Sequence, residues 1–231
     1  MMSGKKFPVI TGLQVVTSLI ILLVSLLLPR VLFLENGSRE VLVGKEGDVP
    51  SLSGTDYYKW KSNSPYTVVN YFSLDCPHCL KLDKIENEKR FLYKEHFSLV
   101  YRHSPLTDIQ IYSGGKAVIS ECVRSDSGTE KMFLFITDIY ENYREEDGNL
   151  WVEKMAKKYV DDQKKLEECV SGPEAKDFIT KKRKEALSYN INGTPTLIIF
   201  KDGVQIARFD RTTASIAKKI MDSLVTESVK R

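Results

Sequence analysis

Hydrophobic and polar positions along the chain predict two groups of β-strands separated by a long helical block. Residues 66–74 form an apolar run that predicts a buried strand, and the charged, periodic segment 80–95 predicts the helix that follows. A short helical turn is predicted before this strand, at residues 56–61, and a second strand after the helix, at residues 97–103. The order strand, helix, strand indicates a β-α-β unit.

The middle of the chain is predicted to be helical. Residues 129–143 are the clearest case, because five apolar side chains recur there at helical spacing. These side chains are Met132, Phe135, Ile136, Ile139 and Tyr140. Four further helices are predicted at residues 116–124, 150–159, 162–170 and 173–189. Such a run of helices between strands indicates a helical insertion within an α/β fold.

Strands are predicted again near the C-terminus. Residues 196–200 and 204–209 are apolar and rich in β-forming residues, and residues 201–203 between them are typical of a hairpin turn. Residues 213–225 then predict a closing helix with one apolar face. The chain is therefore expected to return to strands after the helical block, with a β-hairpin followed by a last helix.

An uncharged apolar segment at the N-terminus is long enough to cross a membrane. Residues 7–29 carry no charged side chain, and about 20 apolar residues span a bilayer. A cleaved signal peptide would have a shorter apolar core and small residues at its cleavage site. We therefore expect residues 1–34 to form an uncleaved membrane anchor and residues 35–63 a tether with a possible edge strand. The flanking positive charges do not decide the orientation of the anchor.

Composition and charge narrow the range of partners. The chain has 231 residues, of which 42% are hydrophobic and 28% charged, as in an ordinary globular protein. The net charge is +3, and three basic residues lie in or beside the expected anchor, namely Lys5, Lys6 and Arg30. The remaining basic and acidic residues balance. The chain thus has no electrostatic footprint for nucleic acid, and no nucleic-acid partner is expected.

Two cysteines lie where the predicted strand meets the predicted helix, in the segment Cys76-Pro77-His78-Cys79. The free backbone N–H groups and the macrodipole of a helix N-terminus favour a thiolate, so Cys76 is expected to be acidified and reactive. Cys79 lies one helical turn further on and can close a small disulfide with Cys76. The pattern therefore predicts thiol redox chemistry.

Two other interpretations of this Cys-x-x-Cys pattern stay open. Zinc normally takes four ligands, and the chain has three histidines and no second closely spaced cysteine pair. A purely structural disulfide would close so short a loop that it would remove little entropy from the unfolded chain. Redox chemistry is favoured over both, and neither a metal ligand nor a cofactor is predicted.

Three segments together resemble the DsbA-like branch of the thioredoxin superfamily. They are residues 71–79 around the dithiol, residues 101–106 at the second strand and its exit, and residues 193–196, which contain a Gly-Thr-Pro sequence. The resemblance extends over residues 64–225. It implies an α/β, thioredoxin-like fold with an inserted helical domain, here preceded by the N-terminal transmembrane helix.

The resemblance also implies a domain organisation. The thioredoxin-like domain would consist of residues 64–112 and 190–231, and the inserted helical domain of residues 113–189. The anchor and the tether lie outside the resemblance.

In this family, the loop that precedes the hairpin faces the dithiol. The resemblance implies that the Thr194–Pro195 bond is cis, which for a bond to proline costs only about 0.5–1 kcal/mol. It also implies that the backbone of Thr194 pairs with an extended substrate chain. Thr194 and Pro195 are therefore predicted to bind substrate.

Pro77 and His78 lie between the two thiols and are predicted to belong to the catalytic motif with them. His78 could stabilise the Cys76 thiolate by a hydrogen bond or a positive charge, and the same Pro-His pair goes with strong oxidants in the resembled family. The alternative is that His78 is merely exposed. His103, at the end of a predicted strand, is expected to be structural.

The chain departs from the family pattern near Cys76. Some members carry an acidic residue six positions before the first cysteine, where this chain has Asn70. Asp75 directly precedes Cys76, and a carboxylate there would oppose acidification of the thiol. Proton transfer to and from Cys79 is thus left without an identified carrier.

Cys122 and Cys169 lie in the helical block. Paired cysteines at similar places form a second, non-catalytic disulfide in part of the resembled family, and the resemblance implies a structural disulfide here. Two separate buried thiols are the alternative. An even number of cysteines fits an oxidising compartment.

The resemblance implies a protein thiol–disulfide oxidoreductase, a DsbA-like dithiol oxidase. Its N-terminus would lie in the cytoplasm and its catalytic domain outside, where it would oxidise reduced exported proteins. Its reoxidation would need a membrane quinone-linked thiol oxidase of the DsbB or vitamin K epoxide reductase type. The alternatives are a disulfide reductase or isomerase on the same fold, and a membrane-tethered binding or chaperone module with structural cysteines.

Overall fold

The computed structural model describes residues 51–106, 112–142 and 148–230. The expected membrane anchor, residues 1–34, lies outside the described residues. Within them, no helix combines the length and the apolar character that crossing a membrane requires.

The described part of the chain is built on a five-stranded mixed sheet. Its strands are β1 (Tyr57–Trp60), β2 (Tyr66–Phe72), β3 (Ser98–His103), β4 (Thr196–Lys201) and β5 (Val204–Phe209). They lie in the order β1-β3-β2-β4-β5. β2 and β3 are parallel, and the other neighbouring pairs are antiparallel.

β2 is the central strand, and every one of its residues is buried. Val69 pairs with Val100 of β3 on one side and with Ile198 of β4 on the other. Strands covered on both faces have near-continuous apolar sequences, which is why the run from Tyr66 onward is apolar rather than alternating. The strand that carries the dithiol at its end is thus held on both edges.

The described residues also contain seven helices. They are α1 (Pro77–Glu88), α2 (Arg90–His96), α3 (Tyr112–Asn142), α4 (Gly148–Ala156), α5 (Gln163–Ser171), α6 (Glu174–Ser188) and α7 (Ala214–Val229). Helices α3 to α6 lie between β3 and β4 in the chain, so the α/β fold contains a helical insertion, as predicted. The exact domain boundaries given above stay a prediction.

The helical turn predicted at residues 56–61 is wrong, because this segment contains strand β1. β1 pairs antiparallel with β3, so its backbone groups are satisfied by the edge of the sheet. Tyr57 and Trp60 are buried, and Trp60 Nε1 donates a hydrogen bond to the carbonyl of Phe97 at 2.8 Å. Long-range pairing and aromatic burial therefore decide the conformation of these four residues.

One predicted helix also differs from the structure. The segment predicted as one helix at residues 80–95 is broken at Lys89, whose φ and ψ of −100° and 10° end α1 and begin α2. The two separate helices predicted at residues 116–124 and 129–143 are confirmed, because both lie within α3 on either side of Gly128, where the backbone is not helical. Gly128 has a φ of 86°, a value that glycine adopts without the strain that a side chain would cause.

Candidate active site

The strand-to-helix turn after β2 brings Cys76 to the start of α1. Cys76 is the N-cap residue, and Pro77 occupies the first turn, where its missing N–H costs nothing. The carbonyl of Ser73 accepts hydrogen bonds from the Cys76 backbone N–H at 3.2 Å and from the hydroxyl of Tyr140 at 2.9 Å. Tyr140 belongs to α3, so the helical insertion helps to hold this turn.

The loop before β4 lies against Cys76. The Thr194–Pro195 peptide bond is cis, and the Cys76 thiol donates a hydrogen bond to the carbonyl of Thr194 at 3.1 Å. Gly193 lies beneath the Arg211 side chain, since a Cβ there would be 2.2 Å from Arg211 Cγ. The structure therefore places Thr194 and Pro195 beside the dithiol, and their role in substrate binding stays a prediction.

The pKa of Cys76 is lowered from 9.0 to about 5. The largest cause is a hydrogen bond from the Cys79 thiol, which outweighs the opposing effect of burial. Further donors are the backbone N–H groups of Cys79 and His78. The Thr194 carbonyl can accept only from the protonated thiol, so it does not add to this stabilisation. Cys76 is therefore a thiolate at neutral pH when the pair is reduced.

Cys79 has the opposite character. It is only 2% exposed, and burial raises its pKa well above the ordinary value, with a further rise from the neighbouring Cys76 thiolate. Both cysteines are free thiols in this structure. Cys76 is itself only 5% exposed, so the two sulfurs differ in acidity rather than in burial. Cys76 is thus the acidified nucleophile or leaving group, and Cys79 is a proton donor to it.

Pro77 and His78 lie at the exposed start of α1. His78 acts on Cys76 through its backbone N–H, a contribution that does not depend on its imidazole. His103, in contrast, is fully buried, and burial lowers its pKa to about 3. A neutral, buried imidazole packed against Phe72 fits the structural role expected for His103.

An ion pair that the sequence did not indicate lies beside the dithiol. The carboxylate of Asp75, the residue before Cys76, is 2.5 Å from the ammonium of Lys116 on α3. The Lys116 side chain is 0% exposed and that of Asp75 is 22% exposed. Nothing in the local pattern relates residues so far apart in the chain, since Lys116 lies on what the sequence presents as an ordinary helix.

A second group of charges is buried behind the dithiol. Lys59 of β1 forms ion pairs with Asp83 at 2.6 Å and Glu86 at 2.9 Å, both on α1. The hydroxyl of Tyr101 donates to Glu86, and the amide of Asn70 donates to the same carboxylate at 3.4 Å. Asn70 thus stands beside a carboxylate that comes from α1 rather than from its own strand.

This cluster offers carboxylates for the proton transfer that had no identified carrier. Asp83 and Glu86 lie four and seven residues after Cys79, so all three share one buried face of α1. Burial raises the pKa of Glu86, whereas the two carboxylates raise that of Lys59 despite burial. A cavity of about 340 Å³ opens beside the cluster and is lined in part by Lys59. The helical spacing of the acidic residues after Cys79 is the sequence signal that could have revealed the carboxylates of this cluster.

Cys122 and Cys169 form a disulfide that links α3 to α5, with a Cα–Cα distance of 5.8 Å. Within the described ranges, no group of His, Cys, Asp and Glu side chains is arranged to hold a metal ion. The cysteines thus occur as one linked pair within the insertion and one free pair at the sheet.

The fold and the dithiol together define a thioredoxin-type protein. A family profile described as Thioredoxin matches residues 53–219, which is most of the chain. The chain therefore belongs to the thioredoxin family. No curated protein matches it significantly.

Solved structures specify the branch of the fold. The chain is similar to alpha-DsbA1 of Wolbachia pipientis, with a TM-score of 0.61, 17% identity and coverage of 79% of this chain and 96% of that one. It is also similar to oxidised BdbD of Bacillus subtilis, with a TM-score of 0.58, 16% identity and coverage of 79% of this chain and 100% of that one. For DsbA of Chlamydia trachomatis the TM-score is 0.59 and the identity 15%, with coverage of 79% of this chain and 98% of that one. The protein therefore has a DsbA-like thioredoxin fold.

Proposed function

We propose that this protein is a thiol–disulfide oxidoreductase that donates the Cys76–Cys79 disulfide to reduced exported proteins. The observation that carries the proposal is the asymmetry of the two thiols, with the pKa of Cys76 lowered to about 5 and that of the buried Cys79 raised. The similar structures of DsbA proteins support the same reaction class. Membership of the thioredoxin family is consistent with it.

The reaction begins with the disulfide form. A substrate thiolate attacks the Cys76 sulfur, a mixed disulfide forms, and the Cys79 sulfur leaves and takes up a proton. A second substrate thiolate then attacks the substrate sulfur of the mixed disulfide, and Cys76 leaves as a thiolate. Two electrons pass from the substrate dithiol to the Cys76–Cys79 pair, and the substrate gains a disulfide. Asp83 and Glu86 are the carboxylates on the Cys79 face that can supply the proton.

The direction of electron flow follows from the stability of the reduced form. A thiolate stabilised by the fold makes the reduced pair more stable, so the oxidised pair is a stronger oxidant. A stabilisation of about 1.4 kcal/mol raises the reduction potential by roughly 30 mV. The low pKa of Cys76 therefore favours an oxidase over a reductase or isomerase on the same fold.

The compartment and the redox partner belong to the same proposal. The apolar segment at residues 7–29 supports a single membrane anchor, with the N-terminus in the cytoplasm and the catalytic domain outside. The Cys122–Cys169 disulfide supports an oxidising compartment. Reoxidation would come from a membrane quinone-linked thiol oxidase of the DsbB or vitamin K epoxide reductase type.

The test is the reduction potential of the full chain in detergent, measured against glutathione, together with oxidation of a reduced model protein. We expect a potential well above the value of about −270 mV that is typical of thioredoxin. Cys76→Ser should abolish oxidation. Cys79→Ser, offered oxidised glutathione, should form and retain a mixed disulfide at Cys76, because its thiolate displaces one glutathione thiolate and no Cys79 thiol is present to resolve the product. Cys122→Ala with Cys169→Ala is the matched control and should keep oxidase activity.

Two outcomes would contradict the proposal. A potential near that of thioredoxin would indicate a reductase. If Cys76 instead titrates near an ordinary thiol value of about 8.5, the dithiol is not activated, and a binding or chaperone module with structural cysteines becomes the better interpretation.

A further inference from the structure

A buried lysine of the helical insertion reaches the residue that precedes Cys76. The Lys116 ammonium and the Asp75 carboxylate are 2.5 Å apart, and Lys116 is fully buried. Burying an ammonium group is costly unless it is paired. An apolar side chain of α3 could have packed against this turn without that cost. The buried ion pair is therefore a candidate for a functional role.

The carboxylate lies in an unfavourable place for the chemistry of Cys76. Asp75 directly precedes Cys76, so a carboxylate and a sulfur that is itself negative in the reduced protein belong to neighbouring residues of one turn. A like charge on a neighbouring residue disfavours the thiolate. One Asp75 oxygen is bonded to Lys116, and the other, Oδ2, is buried without a hydrogen-bond partner among the described residues.

Among the residues that the structure describes, the other titratable groups near Cys76 do not supply a compensating buried charge. Cys79 is a thiol that donates to Cys76. Tyr140, from α3, is buried, and burial raises its pKa well above the ordinary value, so it is neutral. His78 is exposed to solvent. The ammonium of Lys116 is thus the buried positive charge that accompanies the Asp75 carboxylate.

We propose that Lys116 is a positioning residue for the dithiol, which holds and neutralises Asp75 so that this carboxylate does not destabilise the Cys76 thiolate. The helical insertion would thereby help to set the oxidising strength of the Cys76–Cys79 pair. This inference rests on the proposed oxidase function, and it adds no chemical step. Two electrons still enter the disulfide on reduction, the S–S bond breaks, Cys79 gains a proton, and Cys76 is released as a thiolate.

The first test is Lys116→Met in the full chain. We expect the midpoint of the Cys76 thiolate titration, followed by absorbance near 240 nm, to rise by about one pH unit. The ratio [GSH]²/[GSSG] that half-reduces the protein should rise about tenfold, which corresponds to a potential lower by about 30 mV. Both readouts report on the Cys76 sulfur. A purely structural role of Lys116 would therefore not raise the titration midpoint and the glutathione ratio together.

Further variants separate charge from packing. Asp75→Asn combined with Lys116→Met removes both charges. This double variant should bring the glutathione ratio back to within about threefold of the wild-type value, and the titration midpoint to within the corresponding shift of about half a pH unit. Lys116→Arg keeps the charge and should shift them less than Lys116→Met does. If Lys116→Met does not fold, Asp75→Asn alone decides, because it leaves the cation unopposed and should lower the titration midpoint.

Lys89→Met is the matched control. Lys89 forms an ion pair with Asp222 at 2.8 Å, but it lies at the far end of α1, about 20 Å along the helix axis from Cys76. Its loss should leave both readouts unchanged.

Three results would overturn the inference. The first is an unchanged titration midpoint in a folded Lys116→Met variant. The second is a double variant whose midpoint differs from the wild type as much as that of Lys116→Met does. The third is a raised midpoint in Asp75→Asn. These outcomes are independent of the proposed function, since the titration and the glutathione equilibrium can be measured even if the wild-type protein fails to oxidise a model substrate.

Discussion

At the scale of single residues, the reactivity of Cys76 depends on several donors of different origin. The sequence predicted an acidified thiol at a helix N-terminus, and the structure adds that the largest contribution comes from the Cys79 thiol. This contribution was predictable from the spacing, because one helical turn places the two sulfurs together. The Thr194 contact was accessible only through the family resemblance, since 118 residues separate it from Cys76.

The low pKa of Cys76 predicts how the stability of the reduced protein depends on pH. The fold stabilises a thiolate whose pKa is about 5 rather than 9.0. This stabilisation is complete above the pKa of the unfolded chain and is lost as the pH falls towards 5. We expect the free energy of unfolding of the reduced protein, relative to Cys76→Ser, to decline from pH 9 to pH 5. The slope should reach at most about 1.4 kcal/mol per pH unit.

Urea unfolding at each pH measures this difference. The Cys122–Cys169 disulfide must stay intact, which mild reduction and mass mapping can verify. If the free energies of unfolding of the two proteins change in parallel over this pH range, the fold does not stabilise the thiolate.

At the scale of elements, the charged cluster between β1 and α1 shows what sequence periodicity can and cannot predict. The acidic residues Asp83 and Glu86 repeat at helical spacing after Cys79, so their common face is visible in the sequence. Their partner Lys59 is not, because strand β1 was predicted as a helical turn. The regular elements with strong apolar periodicity were predicted well, whereas a four-residue edge strand that depends on pairing with β3 was not.

Removal of the cation from this cluster should destabilise the fold. Lys59→Met leaves Asp83 and Glu86 buried without their ammonium partner, and breaking a buried ion pair on one side typically costs about 3–5 kcal/mol. The raised pKa of Glu86 already makes its ionised form unfavourable in the folded protein, so stability is lost as the pH rises through that pKa. The loss in the variant should therefore be larger at pH 7.5 than at pH 5.

Urea unfolding at both pH values tests this expectation. Lys61→Met is the matched control, since Lys61 is exposed on the same segment and contacts Tyr58. An equal loss in both variants, or a loss that does not depend on pH, would argue against a role for the buried charges.

At the scale of the whole molecule, the helical insertion and the sheet share one active site. α3 contributes Lys116 to the turn before the dithiol and Tyr140 to the carbonyl of Ser73. The sequence predicted the insertion, but it could not predict these contacts, because tertiary packing brings them together. The insertion is therefore part of the site as well as an addition to the fold.

The Cys122–Cys169 disulfide should stabilise the whole molecule. Its sequence separation of 47 residues corresponds to about 4 kcal/mol in the chain-entropy picture. We expect Cys122→Ala with Cys169→Ala to lower the free energy of unfolding by up to this amount, while the Cys76 titration midpoint stays within about 0.5 of the wild-type value. Denaturant unfolding and absorbance titration measure the two quantities. Unchanged stability would contradict the expectation.

The order of the strands has a consequence for the biosynthesis of this protein. β2 lies between β3 and β4 in the sheet, yet β4 follows it in the chain only after the whole insertion. At translation rates of about 5–20 residues per second, β4 is made roughly 6–25 s after β2. During that interval the nascent chain presents Cys76 without Thr194 beside it and a sheet with one edge open. The complete site can therefore assemble only after the whole insertion and β4 have been made.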